Sequence, residues 1–105
     1  MPLLDEITEL LRMPENGTGA PSLDAIESTL TDGYAAKLEL EAERWRIERR
    51  LGEVARDGRD GSDRRELARL SEQLDTADGE LNRLRTLLDN LQSVRRRRRA
   101  AAPAA

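Results

Sequence analysis

The chain has no cysteine, no histidine and no phenylalanine, and one tryptophan and one tyrosine in 105 residues. Without cysteine there is neither a disulfide nor thiolate chemistry. Without histidine the chain loses the side chain that most often serves as a general base, and the commonest metal ligand. So few aromatic side chains make a rounded core hard to fill. No apolar run approaches the roughly 18 residues that would span a membrane. The opening residues, Met1-Pro2-Leu3-Leu4-Asp5-Glu6, lack the basic start and apolar stretch of a secretory signal. A cytoplasmic protein is expected. Neither a G-x-S-x-G elbow nor a glycine-rich phosphate loop occurs, so no enzyme activity, no cofactor and no metal site is expected.

What the chain does have is charge and leucine. Apolar residues make up 37% and charged residues another 37%. With helical periodicity, that balance marks coiled coils and long helices. Lys37 is the only lysine among 18 basic residues. The arginine bias fits a GC-rich bacterial genome. The charges are also unevenly placed. Up to Asp32 the only base is Arg12, against seven acids, whereas Arg95 to Arg99 form an unbroken basic run. Such a dipolar layout can order neighbouring subunits or recruit an anionic partner.

Residues 1–13 read as a short amphipathic helix, with Leu4, Ile7 and Leu11 on one face and Asp5 and Glu6 in the first turn, where the helix dipole favours anions. Pro14 stops it, and residues 14–21 read as a flexible linker. A helix this short needs a surface to pack on. Ser22 is a good N-cap for the next helix. A heptad register then runs through Leu23, Ile26, Leu30, Gly33, Lys37 and Leu40 to Val54, flawed at Gly33, Lys37 and Arg44. The register keeps its phase across Gly33, which favours one helix over about 23–56, although Thr31-Asp32-Gly33 also has the makings of a turn. Residues 57–62 read as a loop, and Asp63 with Glu66 as a capping box. From Leu67 to Leu91, apolar residues recur alternately three and four apart, the mark of a left-handed seam. This second helix is expected to end near Arg95.

The fold class expected is therefore all-α: an antiparallel two-helix coiled-coil hairpin over 22–95, with its turn at 57–62, preceded by a short N-terminal amphipathic helix. Residues 96–105 read as a basic, then alanine-rich, disordered tail. Two helices of matching length on a short connection pack antiparallel, which puts Ile47 near Leu74, Leu40 near Leu81 and Leu30 near Leu91.

Two features point to binding. The first long helix carries a second apolar stripe, with Tyr34, Leu38, Ala42, Trp45 and Gly52 on one side. Leu38 and Leu40 differ by about 200° around the helix, so a hairpin can bury only one of the two stripes. The other needs an occupant: the N-terminal helix folded back, a second copy forming a four-helix bundle, or another protein. Tyr34, Leu38 and Trp45 are the candidate partner-binding residues, with Trp45 as anchor. Packed into a core, Trp45 would be simply structural. The second feature is Arg95, Arg96, Arg97, Arg98 and Arg99, five guanidinium groups suited to phosphates of nucleic acid or to an anionic surface. No aromatic residue is interleaved to stack on bases, and cations also suit a solvated helix C-terminus.

Asp57, Asp60 and Asp63 lack the spacing and terminal Glu of a calcium-binding EF-hand loop. In architecture the chain resembles small helical-hairpin anti-sigma factors of high-GC bacteria that bind a cyclic dinucleotide. Their Glu-x3-Ser-x2-Arg-x3-Gln-x3-Asp pattern is absent. The nearest spacing, Asp78, Asn82, Arg85, Asp89 and Ser93, matches only its arginine, so the resemblance assigns no family. A ligand-sensing regulator is the least supported of three readings. The first is an interaction protein that self-associates or sequesters a partner, and the second a regulator acting through its arginine run.

Overall fold

A computed structural model of the chain describes residues 1–57 and 61–101. Among the described residues there are three α-helices and no strand: α1 (Pro2–Arg12), α2 (Leu23–Asp57) and α3 (Gly61–Ala101). α2 and α3 pack together as a helical hairpin after the short α1. Among the described residues no helix is long and apolar enough to cross a membrane. The centre of the expected turn, residues 58–60, and the last four residues lie outside the described residues, and Asp60 of the acidic loop with them.

The local signals explain the boundaries. Pro2 sits in the first turn of α1, where its missing N–H costs nothing. Met13 takes extended backbone ahead of Pro14 and ends the helix. Ser22 caps α2 as expected, its Oγ accepting from the Ala25 N–H at 3.0 Å. α2 runs unbroken through Gly33. α3 starts ahead of the expected Asp63–Glu66 capping box. It already begins at Gly61, so Asp63 lies within its first turn, and the Glu66 carboxylate takes hydrogen bonds from Arg50. α3 continues to Ala101, past the boundary drawn at Arg95. The five arginines therefore project from helix rather than from a tail, as suits a good helix former at a C-terminal dipole.

The chain divides into two compact units, one comprising Met1–Lys37 with Arg83–Ala105 and the other Leu38–Asn82. The first unit holds α1 and parts of α2 and α3. Ile7, Ile26, Leu84 and Leu91 are wholly enclosed there, and Leu4, Leu30 and Leu88 nearly so. Gly33 explains the docking of α1. A Cβ built on it would run into the Leu88 side chain and lie 3.7 Å from Ile7 Cδ1. The missing side chain is thus the space in which an α3 leucine and an α1 isoleucine meet α2.

Among its described residues the second unit has two helical segments. Leu40, Val54, Leu70, Ala77 and Leu81 are buried, while Ile47, Leu51, Leu67 and Leu74 stay partly exposed. Two helices enclose their common seam incompletely, because its edges face water. Arg44 pairs with Asp78 across this seam, and Arg50 with Glu66 at 2.9 Å. In the first unit Glu27 meets Arg95. Arg44–Asp78 and Glu27–Arg95 each fit the register that places Leu40 beside Leu81 and Leu30 beside Leu91.

Ile7→Ala should lower the unfolding free energy by about 2–4 kcal/mol, since it empties a fully enclosed site; urea denaturation followed by circular dichroism measures it. Gly79 is exposed, with open space where a Cβ would stand. Gly79→Ala should therefore stabilise the protein by roughly 0.5–1 kcal/mol through helix propensity alone, read in the same assay.

Candidate functional site

The second apolar stripe of α2 is bare. In the second unit Leu38 is 68% exposed and Trp45 58% exposed. Seven positions, one heptad, separate them, so both leave the side of α2 away from Leu40, which is buried. Arg49, one turn on, lays its guanidinium over the indole at 5.4 Å from the ring centroid. This cation–π contact limits the orientations open to the indole. Gly52 lies a further turn along the same face, and a Cβ there would meet only the far end of Arg56, at 3.8 Å. That face thus presents two large apolar groups and a shallow hollow. In the first unit Tyr34 is 40% exposed and lines a cleft of about 210 Å³ with Lys37, Arg85, Leu88 and Asp89. The buried residues of α1, Leu4 and Ile7, lie in the first unit.

The arginine run has another environment. In the first unit Arg97 grips Glu15 with Nε at 2.9 and 3.0 Å from the two carboxylate oxygens and Nη2 at 2.5 Å from Oε1. Arg95 and Arg99 converge on Glu27, with Arg95 Nε at 3.1 Å and Arg99 Nη2 at 2.8 and 2.9 Å. Arg98 donates to the Pro21 carbonyl at 2.6 Å, and Arg96 to Ser93 Oγ at 3.2 Å. Residues 14–21 are therefore fastened to α3 at Glu15 and Pro21. Gly17 and Gly19, both at positive φ, turn the backbone between those ties.

Glu15 and Glu27 were not among the residues singled out from the sequence. The signal for them was present. A register that places Leu30 beside Leu91 also brings Glu27 beside Arg95, so the acidic start and the basic end of the chain meet. The charge asymmetry that looked suited to an outside partner is answered within the first unit.

Two polar grooves complete the surface. One, in the second unit, has a volume of about 450 Å³ and is lined by charged side chains including Glu43, Arg69 and Glu80. The other, in the first unit, is also about 450 Å³ and lies beneath residues 13–21. Among the described residues no three acidic side chains converge as a metal site would require. Comparison of the chain with protein-family models, curated proteins and solved structures finds no match.

Hydrogen bonds from Arg97 hold the Glu15 carboxyl below its ordinary value of 4.5, helped by the charges of Arg97 and Arg98 and opposed by burial. Hydrogen bonds from Arg99 and then Arg95 do the same for Glu27. Both carboxyls are lowered on folding, so their contribution is complete above the unfolded value and disappears as pH falls through the lower folded values. The thermal midpoint should therefore drop below about pH 4.5. The Glu15→Gln/Glu27→Gln variant should start lower at neutral pH and lose less on acidification, measured by thermal melts across a pH series.

Proposed function

We propose that the chain is a non-enzymatic interaction protein of the cytoplasm, a helical hairpin whose outer α2 face takes the apolar side of a helix from another protein molecule. The observation that carries this reading is the exposure of Leu38 and Trp45 on a helix whose opposite side is already packed. A helix apolar on two faces is ordinarily covered on both. A tryptophan over half exposed, and steadied by a neighbouring arginine, has the makings of an interface anchor. The absence of histidine and cysteine, together with carboxylates set along outward helix faces, supports a binding role over a catalytic one.

The alternative, a regulator that binds nucleic acid or another anionic surface through Arg95 to Arg99, is less well supported. A phosphate would have to displace Glu15 and Glu27 from Arg95, Arg97 and Arg99, and these carboxylates are already held by charge-assisted hydrogen bonds.

A photo-crosslinking residue in place of Leu38, in the cell that makes the protein, should give a covalent protein adduct of discrete mass. The same residue in place of the exposed Asp75 should not. Equal, diffuse labelling at both positions would refute the reading.

A further inference from the structure

We infer that the occupant of the outer α2 face is a second copy of this chain, its α2 running antiparallel to the first about a two-fold axis through Trp45. This rests on the reading of that face as a docking surface and names its partner. The argument is one of self-complementarity. A two-fold axis at Trp45 sets each residue some number of positions before it opposite the residue the same number after it in the other copy. Glu41 then faces Arg49 of the other copy, and Leu38 faces Gly52. The two indoles meet on the axis.

Each of these pairings is apt. Glu41 and Arg49 carry opposite charges, and each occurs twice in the symmetric contact. Within one chain they stand eight positions apart, about 12 Å along the helix, too far to pair with each other, and Arg49 there leans on Glu53 at 3.5 Å. The exposed Leu38 side chain would enter the hollow above Gly52, where the nearest neighbour to a Cβ is the end of an arginine. Arg49 lies over the indole, so the group on the axis is ordered before contact and loses less freedom on docking.

The charges that flank Trp45 on the outer face set the orientation. On the outer face of α2, Glu41 precedes Trp45 and Arg49 follows it, whereas Arg44 and Arg50 turn toward α3 and meet Asp78 and Glu66. Antiparallel apposition sets Glu41 against Arg49 twice, while parallel apposition in the same register would set each against its own kind. Opposed potentials of this kind select orientation as well as partner. The 20 residues from Leu38 to Asp57 span about 30 Å of helix. A single helix-on-helix contact of that length is smaller than a standard interface, so the dimer should be reversible, in the micromolar range.

The test uses the purified full chain. Sedimentation equilibrium between about 1 and 300 μM should show the mass rising from 11.8 kDa toward twice that value. Trp45→Ala should raise the dissociation constant at least roughly 30-fold, the effect of a central aromatic anchor. Glu41→Arg and Arg49→Glu should each weaken the dimer. The Glu41→Arg/Arg49→Glu variant should recover the wild-type constant to within about threefold, because the swapped charges meet again only across the axis. All three positions are on a helix surface, and circular dichroism checks that the helices are intact. Because the chain contains no cysteine, Trp45→Cys provides a second measurement: mild oxidation should link two chains at this position, and Asp75→Cys should not link.

A wild-type monomer throughout the range would overturn the inference. So would a dimer indifferent to Trp45→Ala, or a double swap no tighter than the single reversals. A monomer in the centrifuge alongside a Leu38 adduct of a different protein would reject the second copy and leave the docking face standing. A monomer with no adduct would reject both.

Discussion

A pair of helices cannot enclose its own leucine seam, and much of this molecule follows from that limit. Each seam residue of a hairpin touches the opposite helix on one side and approaches water at the edges. Where a third apolar surface is added, as α1 adds it, Ile26, Leu84, Leu88 and Leu91 disappear from solvent. Where none is added, Ile47, Leu51, Leu67 and Leu74 stay half-covered. The chain thus contains both a seam with a third helix against it and one without, built from the same two helices.

Most of this was legible in the residues. Leucine spacing gave the hairpin and its register, because a seam three and four apart allows only one face to be buried. Ser22 and Pro14 marked two helix ends through backbone chemistry that does not depend on the rest of the fold. Two other features were hidden for a physical reason. Gly33 scores as a flaw in any heptad, since periodicity counts side chains and has no measure for a useful gap; only the approach of Ile7 and Leu88 gives the gap its meaning. The C-terminal limit of α3 was misplaced because a run of five arginines looks self-repelling when its partners are unseen. Glu15 and Glu27 lie far off in sequence, and they reverse the sign of that judgement.

The candidate site was legible in part. Tyr34, Leu38 and Trp45 were identified as a stripe the hairpin could not bury, and all three are exposed. What the stripe meets is a property of another surface, so a single sequence can narrow it only by the pattern it presents. Here the pattern is informative: Glu41 and Arg49 stand four positions either side of a tryptophan, and a leucine and a glycine stand seven positions either side of it. The arginine run illustrates the opposite case. Strong charge invites a search for an external ligand, yet the counter-charges are supplied by the same polypeptide.

The manner in which Glu15 and Glu27 hold the last turns of α3 bears on how the protein breathes. A helix terminus is ordinarily the first part to fray and the readiest entry point for a peptidase. In this chain that terminus is clasped by groups more than 65 residues away in sequence, so loosening it also requires the segment between α1 and α2 to let go. Amide protons near Arg95 should accordingly exchange with solvent more slowly than their place at the end of a helix would suggest. The half-covered stretch around Ile47 and Leu74, though in the interior of both helices, becomes the more permeable part of the molecule.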